Sequence, residues 1–473
     1  MEFEREGARL KPADWVGVAC LAIASIGFVY PPLRVGVGNF SIVSSILFAV
    51  WLGIASFQQC GLLFRGTAHG LLSFAFIGFT SIWPRLFDNG AIANRYVGVA
   101  PLFLYYLAYE FYQRRGTLQA VRWIVLAAVP FAIISVWVTS RALILDPYAA
   151  RALSPSDPLS TGLLAQGVGG YELAYALVPL SLILGFLGFN GRSVWRWRTR
   201  AISIASSFLC SVTVILSNYF TALLAMVCGY MLMLTLFAVR RWGWGASWIV
   251  GLVVVIFSSG MGWSVFNRVI SILINLTPDG KTAYRLGMLA SGSASSAGAL
   301  SEDRMSLLNQ SLAVFARWPL FGLSIEHIPT SGGYLIGFGQ HSHLLDTFAL
   351  FGLGMGLLQL VILFRVFVIR NRGHGDRIVL SLPVALVAII VLGMDNAAPA
   401  FGLVVYLIYP YVIDGVFPRS GRPEATGRRP RHCEAPHPGG LSFGRDAKRN
   451  GHVISGADGS WSNRAASGNV VRI

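Results

Sequence analysis

The sequence is short of charge. Asp, Glu, Lys and Arg make up 12% of its 473 residues, about half of what a soluble chain of this size carries. Acid is scarcer than base, 21 residues against 37, which leaves a formal net charge of +16. The five cysteines (Cys20, Cys60, Cys210, Cys228 and Cys433) follow neither a disulfide framework nor a metal-site spacing. A phosphate-cradling P-loop, an acidic metal-ligand cluster and a dinucleotide fingerprint are all missing. These absences argue against a soluble nucleotide-dependent enzyme and against a small disulfide-stapled domain. The opening MEFEREGARLKPADW lacks a cleavable leader pattern, so the first apolar run is expected to be retained as a helix.

What the chain has instead is apolar length. It is 55% hydrophobic, with a mean hydropathy of +0.62. Apolar runs of about 17–25 residues recur, the size that crosses a bilayer core as a helix. A closed β-barrel would show alternation rather than solid runs. The expected fold is all-α, a polytopic helical integral membrane protein with about 12 transmembrane helices. The spans are read near 14–30, 40–57, 66–83, 95–112, 121–138, 166–189, 200–217, 219–239, 245–265, 343–369, 378–394 and 398–417.

The basic residues orient these spans. Arg5, Arg9 and Lys11 precede the first, and every even connection is basic: Arg65; Arg114, Arg115 and Arg122; Arg192, Arg196, Arg198 and Arg200; Arg240 and Arg241; Arg370, Arg372 and Arg377. The odd connections are poorer, with Arg34, then Arg85 and Arg95, then Arg141 and Arg151. The positive-inside rule then predicts N-in/C-in topology and explains the net charge better than a nucleic-acid partner does. One large loop, about 266–342, would face outward, which is the periplasm if the membrane is a bacterial inner membrane. Its Gly/Ser/Ala stretch, Ser291 to Gly298, reads as a flexible hinge or lid. The transmembrane domain is placed at 1–417. Residues 418–473, rich in Gly, Arg, Pro and Ser, read as a disordered basic cytoplasmic tail.

The chain is organised around Ser301 to Gly356. A helix is expected to start at Ser301 as N-cap, with Glu302 and Asp303 in its first turn, and to stop at Pro319. At about 100° per residue, Arg304 shares a face with Leu308, Ser311 and Phe315, while Ser306, Asn309, Gln310, Ala313 and Arg317 take the opposite one. An arginine in an apolar stripe calls for an anionic partner. Guanidinium suits a phosphate or diphosphate through bidentate bonds. His341 heads a second such face, with Leu345, Phe348 and Gly352, while His343 points the other way. An imidazole there suits a general base near neutral pH. The plainer readings make Arg304 a residue snorkelling to the headgroups and His341 a helix cap.

Other candidates are thinner. Glu172, near the outer end of its span, is either a functional intramembrane carboxylate or a structural partner of an arginine. Asp395 and Asn396 suit a turn. Arg151 and Gly162 stand at an arginine–glycine spacing found in some polysaccharide polymerases, which 52 glycines make easy to match by chance. Arg285 and Arg317 flank the Gly/Ser/Ala stretch in the outer loop. His69 and His374 fall on the inner side with nothing gathered around them.

From Arg304 to Gly356 the chain resembles the O-antigen ligase / O-antigen polymerase superfamily of polytopic membrane glycosyltransferases. The residues that carry this are Arg304, the run Pro319-Leu320-Phe321-Gly322, His341, Leu345 and Gly352. Two departures stand out: Ser342 replaces the usual Asn, and LSNYFTALLAM lacks the usual Ser-x-Ser-Arg segment. The likeness extends over roughly 165–370. It implies sugar transfer from a polyprenyl-diphosphate-linked oligosaccharide at the outer face of the inner membrane, without metal or other cofactor. It also implies that His341 activates the acceptor hydroxyl and that Arg304 neutralises the diphosphate. Arg151, Arg141, Arg285, Arg317 and Glu172 are then the further candidates for holding the diphosphate or glycan. Membrane lipids, a chain-length regulator and a flippase of the same pathway are candidate partners. The arginine–glycine spacing and the missing Ser-Arg segment favour a polymerase over a ligase that joins glycan to lipid A-core. The contrasting expectations are a transporter or flippase of lipid-linked oligosaccharide, with Glu172 as a coupling site, and a scaffold without activity.

Overall fold

The computed structural model describes residues 10–64, 68–146, 149–150, 153, 158–190, 197–217, 219–242, 268, 271, 294–326, 328, 330–331, 334–335, 338–339, 342–371, 375–395 and 398–417. The chain divides into two units, Met1–Arg419 and Ser420–Ile473. The second lies outside the described residues, as do the span read at 245–265 and the proposed tail.

Helices dominate the first unit. They are α1 (Pro12–Val29), α2 (Pro31–Val37), α3 (Phe40–Phe64), α4 (Ala68–Ile82), α5 (Gly90–Arg114), α6 (Gln119–Leu145), α7 (Pro158–Gln166), α8 (Tyr171–Phe189), α9 (Trp197–Leu216) and α10 (Phe220–Trp242). After the loop come α11 (Ala294–Arg317), a two-residue hairpin pairing Thr330–Ser331 with Tyr334–Leu335, α12 (His343–Asn371), α13 (Gly375–Met394) and α14 (Pro399–Val416). The last has a π-helical middle, Leu403–Ile408. Among the described residues, ten segments are helical, long and apolar enough to cross a membrane.

Outward faces support that setting. Ile42, Ile46 and Val50 of α3 are exposed, as are Leu353, Leu357, Val361 and Val368 of α12. Their spacing, mostly four, makes apolar stripes that suit hydrocarbon rather than water.

At the centre stands α5, which falls outside those ten. Every residue from Ala100 to Tyr112 is buried, the mark of a helix enclosed on all sides. Its tyrosines lower its hydropathy, and neighbouring helices meet the hydroxyls of Tyr105, Tyr109 and Tyr112. Tyr105 meets Ser25 Oγ at 3.0 Å, Tyr112 accepts from Trp51 Nε1 at 3.2 Å, and Tyr109 donates to Asp414 at 2.7 Å.

Ion pairs collect at both ends of the bundle. Where α1 begins, Arg115 holds Asp14 and Gln58, and Arg377 holds Asp414 at 3.1 Å. At the opposite end, where α1 finishes, are Arg34, Arg95, Glu172 and Asp346.

Three sequence readings need correction. First, α11 starts at Ala294, not Ser301, so Ala294 to Gly298 of the expected hinge is helical; alanine's helix propensity outweighs the serines and the single glycine. Second, the span read from 166 breaks at Gly167, where φ is 99°, and resumes at Tyr171. Third, the span read at 343–369 is not one straight helix. Gly352 sits at φ 75°, ψ −172° inside it. In a straight helix, positions 343 and 359 would lie about 24 Å apart. Here Gln359 Nε2 comes within 3.5 Å of the His343 carbonyl, and the Phe348 ring presses on Gly356. The segment 343–351 therefore doubles back on the rest of α12.

Candidate functional site

The turn that ends α11 is locked onto that break. Gly322, at φ 69°, lies so close to α12 that a Cβ would stand 2.2 Å from the Leu350 carbonyl carbon. A Cβ on Gly352 would stand 2.2 Å from the Leu320 oxygen. Leu353 N–H donates to the Pro319 carbonyl at 2.7 Å. Two backbones thus touch directly, which only glycine permits on both sides. The Pro-Leu-Phe-Gly run and the later glycine, separate marks in the sequence, form one joint.

The joint seats α11 by the face read from the sequence. Ser311 is buried, Leu308 and Phe315 are half-buried, and Ser306, Asn309, Gln310, Ala313 and Arg317 are exposed. Phe315 packs edge-on against Phe348 at 5.5 Å. Ser311 Oγ donates to Asp346 Oδ1 at 2.8 Å and accepts from Gly339 N–H at 3.0 Å.

Asp346 is the hub. Its side chain is 1% exposed, and Arg95 Nη2 of α5 stands 3.0 Å from Oδ2. The Arg95 guanidinium also lies 5.8 Å from the Phe338 ring centroid. A buried carboxylate is tolerable when its oxygens are each bonded, as these are. Next to it, Thr347 Oγ1 donates to the His343 carbonyl at 2.8 Å, so the Tyr96 hydroxyl, 2.8 Å away, donates to Thr347. His343 is buried beside Tyr96, its Nε2 makes no hydrogen bond, and its backbone N–H donates to the Asp395 carbonyl at 3.1 Å. Asp395 also accepts from the Tyr175 hydroxyl. That residue, read as a simple turn, ties α8 to the head of α12.

On the other side of Arg95 opens a cavity of about 510 Å³. Arg34 of α2 projects into it with Nη1 2.6 Å from Glu172 Oε2. Tyr171, Asn39, Ser41 and Ser44 add polar lining. Each guanidinium on the walls is matched by a carboxylate, Arg34 by Glu172 and Arg95 by Asp346 behind it, and cavities of this size hold small ligands or headgroups.

The predicted residues scatter by comparison. Glu172 lies in the cavity, paired with an arginine as the structural reading had it. Arg304 belongs to α11, two turns before Ser311, but its side chain is outside the described residues. His341, Arg151 and Arg285 are also outside them. Arg141 is exposed towards the C-terminal end of α6, and Arg317 is exposed over the Trp318 ring at 5.6 Å. Among the described residues, no three His, Cys, Asp or Glu side chains gather as a metal site. His69, read as isolated, is buried edge-on against Tyr106 at 4.5 Å.

Sequence reasoning passed over Arg34, Arg95 and Asp346. The first two served only as topology counts. Asp346, in HSHLLD at the head of an apolar run, carried a signal that a carboxylate there needs a cation. No family model matches the chain, and no curated protein matches it.

Proposed function

We propose that this protein is a membrane glycosyltransferase that moves a polyprenyl-diphosphate-linked glycan onto a sugar acceptor at the outer face of the inner membrane, polymerising repeat units of a secreted polysaccharide or O-antigen. The observation that carries the reading is the seat of α11. The helix face read through Arg304, Leu308, Ser311 and Phe315 docks, as far as it is described, on Asp346 and Phe348, just after His341 and beside a cavity lined by two arginines.

The chemistry is one displacement. The acceptor hydroxyl oxygen forms a bond to the anomeric carbon while its proton passes to His341. The bond from that carbon to the diphosphate oxygen breaks, and the electron pair leaves with the lipid diphosphate. Arg304 meets the charge that develops there. Attack from the face opposite the leaving group inverts the anomeric centre.

The test is the polysaccharide profile of cells lacking the protein, complemented with wild type or His341→Ala. Accumulated single lipid-linked repeats without long chains, restored by wild type only, is the expected result. Long chains that stay on the carrier, above bare lipid A-core, would make the protein a ligase.

One observation favours a second reading. The break in α12 and the buried His69, Glu110 and Arg377 are features of transporters as well. Full complementation by His341→Ala, with lipid-linked repeats trapped on the inner leaflet of the deletion strain, would establish that reading.

A further inference from the structure

The joint between α11 and α12 belongs to a larger platform. A short 3₁₀ helix after α4, Trp83–Phe87, stands beside the turn that follows α11. Buried Asn89 clamps the two stretches together. Its Nδ2 donates to the Ser324 and Glu326 carbonyls at 3.1 and 2.7 Å, and its Oδ1 accepts from Ile328 N–H at 2.9 Å. The Trp83 ring stacks on Phe79 at 5.1 Å and on Phe321 at 6.5 Å. The tip of this clamped platform is apolar and open: Ile82, Leu86, Leu320 and Phe321 are 58% to 70% exposed. Large apolar side chains gathered on a surface mark a contact. Among the described residues, Leu320 and Phe321 lie outside the ten segments able to cross a membrane, so span-facing alone does not account for them.

Two features name the contact. The patch runs on into the apolar stripe of α12, because Leu353 heads that stripe and its N–H donates to the carbonyl of Pro319, one residue before Leu320. Its rim has the composition of a membrane–water boundary: Trp83 and Trp318 are half-buried, Arg85 and Arg317 exposed. Indole rings settle at headgroup level, and long cationic side chains reach lipid phosphates from there. We propose that this tip is a lipid-binding surface. Leu86, Leu320 and Phe321 enter the leaflet at that end of the bundle, Arg85 and Arg317 meet its phosphates, and the C-terminal end of α11 is thereby seated on the bilayer. The seat asks for apolar bulk at 320 and not for leucine as such, and it is independent of the transfer chemistry proposed above.

The test is the depth of spin labels on the full chain in phospholipid nanodiscs, with Cys60, Cys228 and Cys433 replaced by serine. Labels at Leu86→Cys and Leu320→Cys should meet dissolved oxygen severalfold more than a water-soluble nickel chelate, and report a depth of about 5–10 Å below the phosphates. Labels at Asn309→Cys and Gln310→Cys, exposed on α11, should meet the chelate as a water-facing site does. A charge supplies a second measurement. Leu320→Glu should speed amide exchange of peptides 306–317 severalfold in nanodiscs, because a carboxylate leaves hydrocarbon and draws the turn with it. Leu320→Phe should leave that exchange unchanged.

A label at 320 as open to the chelate as one at 309 would overturn the seat, and so would a Leu320→Glu protein that exchanges like wild type, since an exposed side chain in water accepts glutamate without consequence. A label at 320 shielded from oxygen and chelate alike, in a protein that native mass spectrometry shows to be a dimer, would assign the patch to a second copy and overturn the lipid.

Discussion

Replacing Gly352 by alanine tests the joint between α11 and α12. The conformation at φ 75°, ψ −172° belongs to a region essentially reserved for glycine, so a side chain costs about 1–3 kcal/mol before any contact is counted. The new Cβ would also stand 2.2 Å from the Leu320 oxygen, where ordinary contact begins near 3.4 Å. The facing atoms are backbone and have no rotamer to escape into. The α11 turn must retreat, and the hydrogen bond from Leu353 to Pro319 is lost, at a cost of about 0.5–1.5 kcal/mol. Together these come to about 1.5–4.5 kcal/mol of docking free energy, or roughly 10- to 2,000-fold in the opening equilibrium. Amide hydrogen exchange in lipid nanodiscs reads this directly. Peptides from 306–317 should exchange faster by that factor, and peptides from the enclosed α5 should not change. Gly354→Ala, two residues on and with nothing within 4 Å of its Cβ, is the control and should behave as wild type. Protection of α11 within threefold of wild type in Gly352→Ala would refute the claim that this contact holds the helix in place.

The remaining predictions concern charges and the two histidines. Asp14→Ala should lower stability by about 3–5 kcal/mol, because it strands the buried Arg115 guanidinium; the double variant with Arg115→Ala should recover part of the loss in detergent melts, and a strictly additive double variant would deny the pairing. Arg304→Lys should lose transfer almost as completely as Arg304→Ala, since a point charge lacks the bidentate geometry; near-normal polysaccharide from the lysine variant would remove Arg304 from the diphosphate. His341→Ala should abolish transfer at unchanged protein level. His343→Ala, at the histidine that the sequence points away from that face, should lower Tm, because its ring is buried against Tyr96; the reverse pattern would move the catalytic role to His343.

Periodicity carried far in this chain because a bilayer leaves few choices. Solid apolar runs could only be helices, and most of those described begin and end within a few residues of their sequence bounds. The docking face of α11 was legible for the same reason: Ser311 and Phe315 share a stripe with Leu308, and a stripe has one way to face a bundle. What escaped was whatever depends on chain reversal. A glycine inside FALFGLGMG looks like the small residues that helices in membranes carry routinely, and nothing local says that Gly352 folds the helix back. Arg34, Arg95 and Asp346 escaped for a related reason. They stand 138 and 251 residues from their partners, Glu172 for Arg34 and Asp346 for Arg95, and charge counting along the chain has no access to such pairings. The central place of α5 was hidden by its own composition, since Tyr105, Tyr106, Tyr109 and Tyr112 make it look the least membrane-like of the spans.

The joint at Gly322 and Gly352 also bears on how such a chain drifts over generations. Contact there runs from main chain to main chain, so Leu320 leaves its side chain exposed and is at liberty to vary, while Phe321 keeps a stacked contact with Trp83 at 6.5 Å. Selection on this junction grips two glycines and a hydrogen-bonded carbonyl, and little else. Lineages that keep the same mechanical coupling between loop helix and span therefore need share only a handful of letters, widely spaced, while the apolar remainder exchanges one aliphatic for another.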